Sequence, residues 1–209
     1  MPHNKPMHPT AEGLSVGHSR LSAAGDWELL ALHVGSPVNC MITVRQERLE
    51  DIDAVRHVNE QAFGRPQEAA LVDLLRVQAQ PFVSLVAVED EQVVGHIFFS
   101  PVKIEGSNCV GRAMGLAPMG ILPNYQRRGI GSLLVREGLL ACQRTGFDVV
   151  VVLGHPDYYP RFGFMVASEE GLRCEYEVPD EAFMVAELRP GALSGIEGLV
   201  KYDEAFRAV

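Results

Sequence analysis

The chain has 209 residues, about the length of one large domain. Hydrophobic residues make up 47% of it and charged residues 22%, a composition that can bury a core and excludes a wholly disordered protein. The formal net charge of −9 argues against nonspecific binding to nucleic acid or to an anionic membrane, so an anionic ligand has to be held by a local set of donors.

The first 40 residues have no sustained helical or strand period. They also lack the basic start and apolar stretch of a secretory signal. We therefore interpret them as a disordered extension, or as the result of a start codon placed too far upstream. Regular patterning begins at Met41. We therefore expect a folded domain over residues 41–190, with residues 191–209 packing on it or trailing from it.

From Ile42 onward the hydrophobic pattern predicts both strands and helices. In chain order they are a strand at 42–46, helices at 49–63 and 68–78, strands at 82–88, 93–102 and 112–122, a helix at 131–145, a strand at 149–153, and further strands within 172–178 and 183–188. The polar segment 89–92 is short enough for an antiparallel hairpin, and we expect its carboxylates to be solvated. The strand–helix–strand step over 112–153 predicts an α/β or α+β sheet with covered faces.

Two of the predicted strands have an unusual composition. Pro118 removes a main-chain donor and Gly120 has no side chain to pack, so the strand at 112–122 is expected to contain a bulge or a splayed end. Residues 149–153 form a continuous apolar run, typical of a strand buried on both faces. No apolar run approaches the roughly 20 residues of a membrane-spanning helix.

The cysteines are widely spaced along the chain. They are Cys40, Cys109, Cys142 and Cys174. They form no C-x-x-C pair and have no nearby pair of histidines, so the sequence predicts neither a disulfide framework nor a metal site. This usage fits a reducing compartment, and we expect the protein to be cytoplasmic.

The most informative segment is Q-R-R-G-I-G-S at 126–132, which leads from a predicted strand into a predicted helix. Gly129 and Gly131 let main-chain amides converge, and the N-terminal end of the helix adds partial positive charge. The turn is therefore suited to a phosphate-like anion, with Arg127 and Arg128 adding mobile positive charge at its rim. A glycine-rich turn without a ligand is the alternative.

Two known phosphate-binding motifs do not match this turn. A nucleoside-triphosphate loop requires Lys directly after its last glycine, and none follows here. A dinucleotide fingerprint requires Gly or Ala at the place of Leu134. A dinucleotide-binding domain remains only as a further alternative.

A second motif, Y-Y-P-R-F-G-F, occupies residues 158–164. The pair Q-x-x-G-x-G and [FY]-Y-x-x-x-G-F, separated by a helix and a strand, resembles the GNAT superfamily of acyl-CoA-dependent N-acetyltransferases. The resemblance covers roughly residues 41–188, and V-G-H-I-F-F-S-P-V at 94–102 is similar to one bacterial branch of that superfamily. It implies a mixed, mostly antiparallel central sheet with splayed central strands and helices on both faces.

The resemblance also implies where acetyl-CoA binds as a co-substrate. In the family, main-chain amides of the glycine turn bind the CoA diphosphate. The matching residues here are Arg127, Arg128, Gly129, Gly131 and Ser132. The Gln126 side chain would brace this turn, and pantetheine would run as a pseudo-strand beside Met119 and Ile121. A main-chain amide of the same strand would polarise the thioester carbonyl.

Tyr159 matches the family tyrosine that lies near the sulfur and protonates the departing thiolate. A phenol with an ordinary pKa of about 10 is a plausible donor. The alternative is a purely structural aromatic cluster that covers the core. Its members would be Tyr158, Tyr159, Phe162 and Phe164.

No general base is evident in the sequence. His96, His155 and Glu105 are candidates, although a histidine on an apolar strand is more often a core residue with satisfied hydrogen bonds. Deprotonation of the amine through water is therefore our default. A covalent acyl-cysteine is a further alternative, but Cys109, Cys142 and Cys174 have no base next to them in the sequence, which argues against it.

The resemblance thus implies an enzyme that transfers an acetyl group from acetyl-CoA to a primary amine of a small molecule, peptide or protein, without a metal. A non-catalytic acyl-CoA-binding or regulatory module is the alternative. We expect a monomer or homodimer that has neither nucleic acid nor a membrane as a partner.

Overall fold

The computed structural model describes residues 41–106 and 112–208. The predictions made for residues 1–40 and for Cys109 lie outside the described residues. The helices are α1 (Ile52–Phe63), α2 (Gln67–Gln78) and α3 (Ile130–Arg144). The strands are β1 (Thr43–Gln46), β2 (Val83–Glu89), β3 (Gln92–Glu105), β4 (Ala113–Ile121), β5 (Val149–Leu153), β6 (Met165–Val166), β7 (Leu172–Cys174), β8 (Phe183–Glu187) and β9 (Gly198–Lys201).

The helices follow the apolar spacing of the sequence. α1 begins three residues later than its pattern because Leu49–Asp51 forms a 3-10 turn. Asp51 ends that turn and accepts hydrogen bonds from Arg45 at 2.6 and 2.8 Å. α1 is capped by Gly64, whose φ of 69° is left-handed and favours glycine. None of the helices in 41–106 and 112–208 is long and apolar enough to span a membrane.

The sheet is mixed and mostly antiparallel, as predicted. Its main path among the described strands is β1-β2-β3-β4-β5-β8-β6, and β4 and β5 are its parallel neighbours. α3 supplies the crossover between those two strands. β9 pairs with the end of β3 and, in parallel, with β7, so part of the segment 191–209 joins the sheet.

Helices cover both faces of the sheet, which confirms the predicted architecture. Gly120 of β4 faces Asn59 and Ala62 of α1, whereas the side chain of the next residue, Ile121, lies with Leu134 of α3 on the opposite face. β5 runs through the centre, and its residues 149–152 are fully buried. The prediction of a strand buried on both faces is therefore confirmed.

Candidate active site

β4 separates from β5 halfway along its length. Their parallel pairing ends at Leu116 and Val152. Directly after it, Ala117 and Pro118 lie opposite the single residue Phe98 of β3, which is the predicted bulge. Beyond the bulge β4 pairs only with β3 among the described strands, so a gap opens between β4 and β5.

The main chain of β4 faces this gap at Met119 and Ile121. The amide of Leu122 donates to the carbonyl of Val94 at 3.0 Å. Because hydrogen-bonded pairs alternate in an antiparallel ladder, the main-chain groups of Ile121 and Met119 point away from β3. Gln126 Nε2 donates to the Ile121 carbonyl at 3.2 Å, which ties the glycine turn to the end of the strand.

The glycine turn follows the gap without interruption. After a 3-10 turn at Pro123–Tyr125, Arg127 has a φ of 61° and Gly129 a φ of 83°, both left-handed. Leu133 donates its amide to the Gly129 carbonyl at 3.1 Å and so begins the helical ladder. The amides of residues 130–132 precede that bond and point out of the helix end, where an anion is favoured.

The first turn of α3 also meets the second motif. A Cβ added to Gly131 would lie 2.7 Å from Tyr158 Oη and 3.7 Å from Met119 Cε. Ser132, next in the helix, is half-buried. The structure thus brings the splayed strand, the glycine turn and the Y-Y motif together.

Tyr159, the second tyrosine of this motif, is the first residue of a 3-10 turn that ends at Phe162. Its ring packs so closely against Gly154, the residue after β5, that a side chain at position 154 would clash. Burial, and to a smaller extent the neighbouring Tyr158, raises the pKa of Tyr159. The phenol therefore keeps its proton at neutral pH.

The predicted aromatic cluster is also present. The Tyr158 and Tyr159 rings are 5.1 Å apart and edge-on, and Tyr159 makes a similar contact with Phe164 at 5.5 Å. Arg161 stacks on Tyr158 at 4.4 Å and donates its Nε to the carbonyl of that residue at 2.8 Å. Packing of the Tyr159 ring and chemistry at its hydroxyl are compatible, because they use different atoms.

Two expectations about charge are wrong. Glu89 at the hairpin tip is 7% exposed and is not solvated. It accepts from Arg128 Nη2 at 2.5 Å and from Nη1 at 3.3 Å, so Arg128 does not supply mobile charge. Asp90 and Glu91 are exposed, as predicted, and have left-handed φ values of 47° and 66°. Sequence reasoning missed the pair because its members are 39 residues apart.

His96 is a core residue rather than a base open to substrate. Its Nδ1 lies 3.1 Å from the Asn59 amide nitrogen, a donor, so the ring proton is on Nε2, 3.0 Å from Ser84 Oγ. Ser84 donates in turn to Glu47, which also binds Arg76. Burial first, and the Arg76 charge second, lower the pKa of His96 to about 3.

This neutral histidine should make the protein sensitive to acid. An unfolded histidine has a pKa of about 6.5, so below that pH the unfolded chain binds a proton that the folded protein refuses. We expect the free energy of unfolding to fall by about 2 kcal/mol from this group between pH 7 and pH 5. Urea unfolding at both pH values should show a larger drop for the wild type than for His96→Gln, while a variant of exposed His57 should behave like the wild type. Equal drops in the wild type and His96→Gln, or a His96 ring that NMR finds protonated at pH 5, would contradict this.

The other candidate groups do not form a second site. His155 and Glu105 are exposed, at the loop after β5 and the end of β3. Burial raises the pKa of the Cys142 and Cys174 thiols, which are free and remain protonated at neutral pH. Within 41–106 and 112–208, no cluster of three His, Cys, Asp or Glu side chains is arranged to hold a metal ion.

Comparisons with known proteins agree with this geometry. A sequence profile described as "Acetyltransferase (GNAT) domain" matches residues 43–167. The uncharacterized N-acetyltransferase YhbS of Escherichia coli K12 is 37% identical over 164 residues, which are 78% of this chain and 97% of YhbS. The crystal structure of E. coli YhbS in complex with CoA has a TM-score of 0.73 at 36% identity and covers 79% of this chain and 92% of that one. A Brucella melitensis GNAT family acetyltransferase in complex with acetyl-CoA has a TM-score of 0.65 at 36% identity, covering 80% and 99%.

Proposed function

The chain belongs to the GNAT family of acetyltransferases and is an acyltransferase, and from this premise we propose that it acetylates a primary amine with acetyl-CoA as donor. The acceptor is the amine of a small molecule, peptide or protein. The observation that carries the proposal is the continuity of the β4–β5 gap with the amide-lined N-terminal end of α3. The E. coli and Brucella relatives, solved with CoA and acetyl-CoA, support it.

We assign the acetyl-CoA diphosphate to the glycine turn and the pantetheine to the gap. The diphosphate would accept hydrogen bonds from main-chain amides of residues 127–132, where the helix end adds partial positive charge. Pantetheine amides would pair with the outward-facing main chain of Met119 and Ile121, as an added strand does. Gln126 would fix the spacing between these two regions through its bond to Ile121.

The proposed reaction is direct transfer. The neutral amine nitrogen attacks the thioester carbonyl carbon and forms a tetrahedral intermediate that carries an oxyanion and a positively charged nitrogen. That nitrogen loses a proton to water, and the C–S bond then breaks to give the amide and the CoA thiolate. A main-chain amide of β4 facing the gap would donate to the oxyanion. Tyr159 would donate to the thiolate. Because burial raises the pKa of this phenol, its hydrogen bond to the developing charge matters more than early proton transfer.

The acceptor must reach the thioester as a neutral amine. An alkylamine with a pKa near that of Lys, about 10.4, is protonated almost completely at pH 7. The enclosure of His96 removes it as the base, so we retain proton transfer through water. Because only the neutral amine attacks, turnover at a fixed total concentration of amine should rise with pH up to the pKa of the amine.

The direct test is a panel of primary amines incubated with acetyl-CoA. Release of free CoA thiol should depend on the amine, and mass spectrometry should find one acetyl group added per CoA released. Hydrolysis without amine is the background rate. Binding of acetyl-CoA without amine-dependent release for any amine, peptide amines included, counts against the proposal.

Gly131 offers a check on the position of the cofactor. A Cβ at Gly131 would press on Tyr158 Oη, 2.7 Å away, so Gly131→Ala must displace the tyrosine or the helix end. We expect acetyl-CoA affinity to fall about tenfold, consistent with overpacking costs of about 1–3 kcal/mol. Calorimetry should show that Gly131→Ala costs less affinity when it is made in the Tyr158→Phe variant than when it is made in the wild type, because the hydroxyl that the Cβ would meet is gone. Wild-type affinity of Gly131→Ala, or an equal loss in both backgrounds, would argue against this packing.

A further inference from the structure

We infer that Glu89 is a positioning residue that acts through Arg128 and holds the glycine turn in the conformation that binds the CoA diphosphate. The inference rests on the proposed function. Glu89 is the last residue of β2, and its carboxylate faces the guanidinium with both oxygens, at 2.5 and 3.3 Å. The Glu89 side chain is 9% exposed and the Arg128 side chain is 45% exposed, so the ion pair is partly buried. A bidentate contact between a carboxylate and a guanidinium defines the orientation of both groups.

A second contact joins the same hairpin to the same turn. Gln92, the first residue of β3, is paired with Glu89 across the hairpin. It accepts a hydrogen bond from Tyr125 Oη at 3.3 Å. The Arg128 guanidinium lies over the Tyr125 ring at 5.1 Å. The two end residues of one tight hairpin therefore hold the turn both before and within its glycine segment.

The turn needs such external support. Arg127 has a left-handed φ of 61°, which costs a residue with a Cβ about 1 kcal/mol or more. Arg127, Arg128 and Gly129 are all exposed, and a Cβ added to Gly129 would meet no atom within 4 Å. Arg127, Arg128 and Gly129 are therefore not enclosed by packing. The contacts with Glu89, Gln92 and the Ile121 carbonyl stabilise the turn, and a turn held in place binds an anion without first having to be ordered.

An alternative role of Glu89 predicts the opposite change in affinity for the diphosphate. If Glu89 only occupied an arginine that otherwise binds phosphate, its negative charge would weaken diphosphate binding. Loss of that charge would then strengthen binding. A positioning role predicts that the same substitution weakens it, so the direction of the change decides between the two.

The experiment compares Glu89→Gln with Glu91→Gln. Both substitutions remove one carboxylate from the same hairpin, but Glu91 is exposed. For Glu89→Gln we expect the Kd and the KM for acetyl-CoA to rise about tenfold, a factor that corresponds to about 1.4 kcal/mol. kcat should change much less. The KM for S-acetyl-pantetheine, a donor without the diphosphate, should match the wild type, as should all constants of Glu91→Gln.

A double-mutant cycle shows whether Glu89 acts through Arg128. The double variant Glu89→Gln, Arg128→Gln should bind acetyl-CoA no more weakly than the weaker-binding of the two single variants, because each substitution removes the same contact. Equal or tighter acetyl-CoA binding by Glu89→Gln overturns the inference, and so does an equal loss with S-acetyl-pantetheine, which indicates general disruption. If the wild type itself does not bind acetyl-CoA, the proposed function fails instead.

Discussion

Gly129→Val should reduce acetyl-CoA affinity about 100-fold, because it changes both the conformation and the surface of the diphosphate turn. Gly129 has a φ of 83°, a region in which a β-branched side chain is strongly disfavoured. The space around it is open, so the substitution meets no protein atom and its effect comes from the backbone and from the anion site. Calorimetric titration with acetyl-CoA measures the change.

Gly191→Val is the matched control. Gly191 has a φ of 77° and equally open surroundings, but it lies in a turn between β8 and β9. Both variants should lose similar thermal stability, since both force a branched residue into left-handed backbone. Only Gly129→Val should lose affinity. Unchanged binding by Gly129→Val, or an equal loss in both, would mean that the diphosphate does not bind at this turn.

Local patterns predicted the parts of the fold that are local in origin. The helices follow apolar residues three and four positions apart, and Pro118 marked the bulge because it lacks an amide donor. The short 3-10 turn at Leu49–Asp51 was missed, since it continues the helical spacing and differs only in its hydrogen bonds. β9 was missed because four residues carry too little periodicity.

The residues of the site, like the elements of the fold, were predictable where the pattern is local in the sequence. The glycine turn and Tyr159 are readable because the motif residues lie close together in the chain. The environment of each charged group cannot be read from the sequence in this way. Glu89 reads as a solvated hairpin residue until the fold places Arg128 beside it, and His96 reads as a possible base until Asn59 and Ser84 enclose it. Motifs therefore give the chemistry, whereas long-range contacts decide which ionisable groups are available for it.

Tyr159→Phe should lower kcat about 100-fold while the Kd for acetyl-CoA stays within about twofold of the wild type. The ring is held by Gly154 and Phe164, and phenylalanine preserves those contacts. Only the hydroxyl is lost. A group that donates to the leaving thiolate acts when charge develops on sulfur, so its loss raises the barrier without weakening the ground state. Steady-state kinetics with a reactive amine, together with calorimetry, separates the two quantities.

Tyr158→Phe removes a hydroxyl from the adjacent ring and tests the assignment between the two tyrosines. Tyr158 Oη lies at the first turn of α3, where the diphosphate is assigned, so its loss should change the KM for acetyl-CoA more than kcat. Tyr159→Phe should therefore change mainly kcat, and Tyr158→Phe should change mainly the KM for acetyl-CoA. The two variants should have similar melting temperatures. If kcat falls in Tyr158→Phe and not in Tyr159→Phe, the proton donor is the first tyrosine of the motif. If neither variant loses turnover, the aromatic cluster only packs, and the thiolate must take its proton from water.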